Sequence, residues 1–229
     1  MNRSWFLGIS IGWVVLVPQT APAQVGSLQP NVQSQLHRAE TAWRTGGSLL
    51  EAKVRADEVL RAEPDHPDAL KLRADVLLAL KRYDEALRDA RRATELDPTD
   101  GRAYWILAES ARLSGDLSMA REALREAAGH ITDDNAEFHV LLSGVAMYVD
   151  ELELAESFAR VARAKGPMHA AAHYQLARVF LLQGRLDDAA TILVGGLNEQ
   201  FLDPRFIRED AALRALVDHP DLAAAMADD

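Results

Sequence analysis

Five alanines, Ala52, Ala86, Ala120, Ala155 and Ala189, stand 34, 34, 35 and 34 residues apart. Three further series keep the same step: Leu49, Tyr83, Leu117, Leu152 and Leu186; Ala74, Ala108, Leu142 and Ala177; and Ala93, Ala127, Ala162 and Gly196. A period near 34 residues is the length of one helix-turn-helix unit, which cannot bury its apolar face alone and so stacks on its neighbours. Small residues recur where two antiparallel helices cross closely, because a larger side chain there would push the backbones apart, and the Leu/Tyr series fills the gap beside the turn. The expectation is an all-α chain of about five stacked units.

Local signals agree. The segments between breaks are rich in Ala, Leu, Arg and Glu, with apolar residues at three- and four-residue steps, as in Ala103, Ile106, Leu107 and Ala111. Pro64, Pro98 and Pro167 each follow such a run, and Asp97-Pro98-Thr99-Asp100-Gly101 supplies side-chain oxygens to start the next helix. Comparing Leu142 with Leu152 places the extra residue of the long step between the two helices of the fourth unit, near residues 148–151. After Leu197 the period stops. Asp203-Pro204 breaks the chain, and Phe206, Ile207, Leu213, Leu216, Leu222 and Met226 then predict two short helices, over about 210–217 and 220–226. These would cap the last unit; the other reading is a segment that docks into a groove as a ligand does. Gly195-Gly196, just before them, implies that the helix ends there or that the cap packs very close.

The first residues read as an address. Arg3 precedes an uncharged apolar run from Trp5 to Val17, shorter than the ~20 residues of a spanning helix, and Ala21-Pro22-Ala23 is a small-x-small cleavage pattern. A signal peptide over residues 1–23, cut after Ala23, and a linker over 24–32 follow; the alternative is a retained anchor. The chain has no Cys, which excludes a lipid anchor on an N-terminal cysteine and any disulfide. Its net charge of −10 becomes −11 without the leader, and such a surface repels nucleic acid and anionic lipid. A periplasmic or secreted protein, not inserted in a membrane after cleavage, is expected.

Ala74, Tyr83-Asp84-Glu85-Ala86, Ala93 and Leu96-Asp97-Pro98 make the second unit resemble a tetratricopeptide repeat; Leu107-Ala108, Gly115-Asp116-Leu117 and Ala120 do so for the third, and Leu176-Ala177, Gly184, Leu186 and Ala189 for the fifth. The resemblance covers about residues 33–200, in repeats near 33–66, 67–100, 101–134, 135–169 and 170–201, with the cap at 202–229. It departs at Glu40 and Val59 in the first unit, where small residues are usual. It implies a right-handed superhelical solenoid whose first helix in each repeat lines a concave groove. The groove-facing residues are then His37 and Arg44; Lys71, Asp75 and Leu78; Trp105, Glu109 and Arg112; His139, Ser143 and Met147; and Tyr174, Arg178 and Leu181. Trp105 and Tyr174 would seat an apolar anchor of a partner segment, and Arg112 and Arg178 would hold its carboxylate; alternatively both aromatics cover neighbouring helices. Chaperone-binding members share a Lys/Asn carboxylate clamp, which Asp75, one turn after Lys71, opposes.

Nothing in the sequence points to catalysis, a metal or a cofactor. His169 and His173 have metal-ligand spacing, but no carboxylate or Cys completes the set. Asp-His-Pro-Asp at residues 65–68 and 218–221 contains a tripeptide of J-domain proteins, yet both copies read as helix starts. No phosphate loop, nucleophile elbow or zinc-protease helix is present. The expected function is a non-catalytic scaffold whose groove binds a segment of a protein partner. The alternative is a structural subunit that assembles through its convex face or ends.

Overall fold

The computed structural model describes residues 32–44, 48–132 and 135–227, all within one compact unit. The expected leader and most of the linker lie outside the described residues. Among the described residues ten helices form five antiparallel pairs: α1 (Val32–Arg44) with α2 (Leu49–Ala62), α3 (Pro67–Ala79) with α4 (Tyr83–Leu96), α5 (Gly101–Ser114) with α6 (Leu117–His130), α7 (Ala136–Tyr148) with α8 (Leu152–Lys165), and α9 (Ala170–Leu182) with α10 (Leu186–Asn198). None of the described residues is in a strand.

The periodic residues explain this spacing. The Leu/Tyr series supplies the first residue of every even helix, and Ala52, Ala86, Ala120, Ala155 and Ala189 are fully buried three residues later. The turn inside each of the last four pairs needs one left-handed residue, provided by Lys81, Gly115, Asp150 and Gly184. The two glycines adopt it without the Cβ clash that the Lys and Asp must bear. Odd helices touch one another in unbroken succession from α1 to α9, whereas among even helices the principal contact is α6 with α8. The odd helices are therefore the inner layer of the curved stack, the even ones the outer.

The extra residue lies elsewhere than the sequence comparison placed it. Helix caps run from Glu63 to His66, Asp97 to Asp100 and Gly166 to His169, three residues each, but from Ile131 to Asn135 the step is four. The insertion is thus in the turn between α6 and α7, where it lengthens a link without disturbing a helix-helix contact. Counting from that turn, the small position shared with Ala108 and Ala177 is Ser143, not Leu142. Ser143 is fully buried and its Oγ donates to the Ala155 carbonyl at 2.8 Å, so α7 and α8 approach closely there. Leu142 instead joins Leu107 and Leu176 in the core.

The tail caps the stack with bounds that differ from expectation. Asp203-Pro204 starts a helix: the Asp203 carboxylate accepts from the Arg205 N–H at 2.8 Å and Pro204 occupies the first turn of α11 (Pro204–Glu209). Asp210 ends it and caps the next turn by accepting from the Ala212 N–H. A 3-10 turn over Arg214–Leu216 and α12 (Pro220–Ala227) follow, both packed on α10. Ile207, Leu213, Leu216 and Leu222 are fully buried in one cluster with Leu176, Phe180 and Leu193, each contributing roughly 1.5–3 kcal/mol of burial. Helix α10 continues through both glycines, and a Cβ on Gly196 would run into Leu202, so close packing accounts for that residue.

Candidate functional site

The inner layer begins with charges that satisfy each other. The Lys71 ammonium donates to Asp100 and lies 3.0 Å from Asp68; burial pulls its pKa down, but these two carboxylates outweigh it and leave it raised. Asp75, expected to face the groove, is only 6% exposed and accepts from the Arg102 guanidinium. Burial pushes its carboxyl up, against the pull of Arg102 and Lys71, and its Oδ1 has no partner among the described residues. A carboxylate clamp is thus blocked less by repulsion from Asp75 than by the engagement of Lys71 with its own acids. Arg73, on the same helix, bridges Asp89 and Asp57 at 2.6 and 2.9 Å.

The middle of the layer is half closed. Leu78 and Trp105 lie partly buried against the central core. Arg112 makes a two-pronged ion pair with Glu109, at 2.7 and 2.5 Å, and its guanidinium stacks 4.4 Å from the centre of the Tyr148 ring. Arg112 therefore orients Tyr148 and is not a spare cation.

The shifted insertion moves the fourth unit's face by one residue, about 100° around a helix. His139 is consequently buried, at 4% exposure, with its ring edge-on to Phe158 at 6.4 Å, and Ser143 is in the core. The residues in line with Lys71, Asp75 and Leu78 are Val140, Gly144 and Met147, followed on α9 by Tyr174, Arg178 and Leu181. Tyr174 is half-buried, and its hydroxyl donates to the Asp203 carbonyl at 3.2 Å, fastening the tail.

Between α7 and α9 the layer opens into a cleft of about 340 Å³. Gly144 and Met147 of α7, Arg178 and Leu181 of α9 and Ala212 of the tail line it. Its rim carries Tyr148 and Leu182, 64% and 58% exposed. Among the described residues the Arg178 guanidinium has no hydrogen bond or ion pair. The sequence reading missed Tyr148, Leu182 and Gly144. A signal was present: Leu113, Tyr148 and Leu182, all exposed, repeat at 35 and 34 residues in the last turn of the odd helices.

A tetratricopeptide-repeat family model matches residues 36–101, 82–136 and 151–194. The chain belongs to the tetratricopeptide-repeat family. It is 30% identical over 156 residues to cellulose synthase operon protein C of Xanthomonas axonopodis pv. citri (strain 306), a match covering 65% of the chain; the chain spans about a tenth of that protein's length. Among solved structures it resembles PilW, a type IV pilus biogenesis factor, with a TM-score of 0.64 at 17% identity over 86% of this chain and 91% of that one. A thermophilic tetratricopeptide-repeat protein of Thermus thermophilus gives 0.56 at 22% identity over 86% and 100%. At these identities the likeness to solved structures is one of fold.

Tetratricopeptide-repeat proteins are typically non-catalytic adaptors for other proteins. Among the described residues no group of three or more His, Cys, Asp or Glu is placed to hold a metal ion. His173 packs edge-on against Phe201 at 4.8 Å, and burial lowers its pKa, as suits a neutral ring in the core. Nor is any helix among the described residues long and apolar enough to cross a membrane.

Proposed function

We propose that this tetratricopeptide-repeat protein is an adaptor of the cell envelope or secreted space that holds a segment of a partner protein on the inner layer of its solenoid. The cleft between α7 and α9 carries this reading: it places two exposed apolar side chains, Tyr148 and Leu182, beside an unpaired cation, Arg178. A segment that laid one apolar side chain there would remove this surface from water, and the surrounding helices would hold it in register. The envelope part of the proposal is supported by the leader pattern of Met1 to Ala23 and by the likeness to a protein of a cellulose synthase operon.

The test is capture from an envelope extract by the purified protein, comparing the native chain with a Tyr148→Ser, Leu182→Ser double variant of unchanged helicity and melting. Loss of a specific partner is expected; identical capture by both proteins removes the groove from the proposal. Terminal sequencing of the exported protein should begin at Gln24. A second reading, assembly through the C-terminal end, is supported by Phe206, 63% exposed on α11. Sedimentation of Phe206→Ser distinguishes it, since an end-assembled oligomer would dissociate.

A further inference from the structure

We infer that the cleft bounded by α7, α9 and the tail is a receptor for a carboxylate set beside an apolar side chain of a peptide segment, with Arg178 holding the carboxylate. This rests on the adaptor reading and specifies its ligand.

Charge pairing on the inner layer is the first ground. Lys71, Arg102 and Arg112 each already hold an acid of this chain, whereas Arg178 holds none among the described residues, although the chain carries ten more acidic than basic groups. Arg178 is half-buried and lines a cleft, where an incoming carboxylate gains more than at an open surface.

The cause of the vacancy is local. The repeat position that bears Asp75 on α3 and Glu109 on α5 bears Gly144 on α7, so the adjacent helix brings no acid to Arg178. Gly144 also lines the cleft, and the two helices pack closely there: a Cβ on Gly144 would approach the Gln175 amide nitrogen of α9 to 3.3 Å. Size and lining then select the neighbour of the carboxylate. About 340 Å³ is at the small end of ligand sites and accommodates one or two side chains, and Met147, Tyr148 and Leu182 offer them an apolar wall. Met147 and Leu182 can adjust to aliphatic or aromatic groups alike.

Ala212 belongs to the tail, so the receptor is complete only when the tail is docked. The cap is therefore part of the binding site as well as a cover for the last repeat. Occupancy should slow hydrogen exchange in residues 203–217, of which Ala212 alone lines the cleft.

The experiment uses the full chain and fluorescent nonapeptides with Leu or Phe as the last residue, randomised elsewhere, in free-acid and amidated forms. A third set is amidated but carries Leu-Glu in the middle. Selective binding of the free acids, or of the Leu-Glu set, supports the receptor and identifies the carboxylate as terminal or side-chain. Arg178→Gln should weaken the selected peptide about 10- to 100-fold, and Arg178→Lys should restore only part, because an ammonium cannot grip both oxygens. Ala212→Trp, at an exposed turn, should block binding with the melting temperature unchanged. Peptide binding indifferent to the carboxylate, or unchanged by Arg178→Gln in a folded protein, overturns the inference and leaves the adaptor reading standing. No binding by any set, together with unchanged capture by the Tyr148→Ser, Leu182→Ser variant, overturns both.

Discussion

The inner layer has the same backbone at both ends and opposite chemistry. Around α3 and α5, repeat positions are filled by groups that neutralise each other between neighbouring helices: Lys71 with Asp100, Arg102 with Asp75, Arg73 with Asp57 and Asp89. Around α7 and α9 the corresponding space holds Gly144, Met147 and Arg178, one uncompensated charge over an apolar cleft, and the end is closed by buried leucines of the tail. A repeat fold keeps its period with a few small residues, and the positions between them are free to become either a cross-link or a site. Here the amino-terminal half is locked electrostatically and the carboxy-terminal half is locked by apolar burial around an opening.

The comparison breaks most sharply if the apolar lock is removed. Leu216→Ala deletes a fully buried side chain and should cost about 3 kcal/mol. Because stacked repeats unfold in part, segment-resolved hydrogen exchange should show loss of protection over residues 193–227 with α3 and α4 unaffected. Uniform loss along the chain would show that the halves are not separable.

Next in size is the charge lock. Arg73→Met leaves the largely buried Asp89 without its partner, while Asp57 keeps Lys53, at a cost of about 2 kcal/mol, since Arg73 is only half-buried. Urea unfolding in low and high salt should show the deficit shrinking as salt rises, whereas the Leu216→Ala deficit should not shrink.

Gly144→Asp tests whether one residue separates the two chemistries. It gives Arg178 an acid and makes α7 imitate α5, so peptide affinity should fall about tenfold, the counterpart of about 1.4 kcal/mol. Stability should change by less than about 1 kcal/mol, because the gain from replacing a mid-helix glycine is offset by the 3.3 Å approach of the new Cβ to the Gln175 amide nitrogen. Anisotropy titration and a melting curve report the two effects.

The smallest effect is in the acid limb. Burial pushes the Asp57 carboxyl up, but hydrogen bonds from Lys53 and Arg73 reverse this and hold it below its ordinary 3.8. The unfolded chain then binds more protons than the folded one below that value, so the stabilisation is present above pH 3.8 and is lost as pH falls through the folded pKa. Asp75 acts with the opposite sign, its raised pKa making its contribution fall as pH rises above 3.8. Asp57→Asn should accordingly flatten the acid side of the stability curve, measured as urea midpoints from about pH 5 down to about pH 2.5; a steeper acid limb would contradict the assignment.

Much of the fold was legible because periodic residues sit where helices begin and cross: Leu49, Tyr83, Leu117, Leu152 and Leu186 open the even helices. The fourth unit was misread by one residue because the comparison sought Ala or Leu at the shared small position, and Ser143 meets the same steric demand. Turns carry no such marker, so counting could not tell which one took the insertion. That single step placed His139 and Ser143 on the groove face and hid Val140 and Gly144. The tail was misread for a related reason: Asp203-Pro204 looks like a break, but the same pair caps and begins a helix.

The sequence by itself determined the period, the helix pairs and the stacking, because each rests on contacts that recur every 34 or 35 residues along the chain. Whether a given cation is spent or available was decided only by the tertiary structure. Arg102 meets Asp75 from 27 residues away, and Lys71 meets Asp100 from 29, each between α3 and the start of α5. Arg178 faces a glycine across its seam, and only stacking, together with the folding back of Ala212, turns that absence into a cleft.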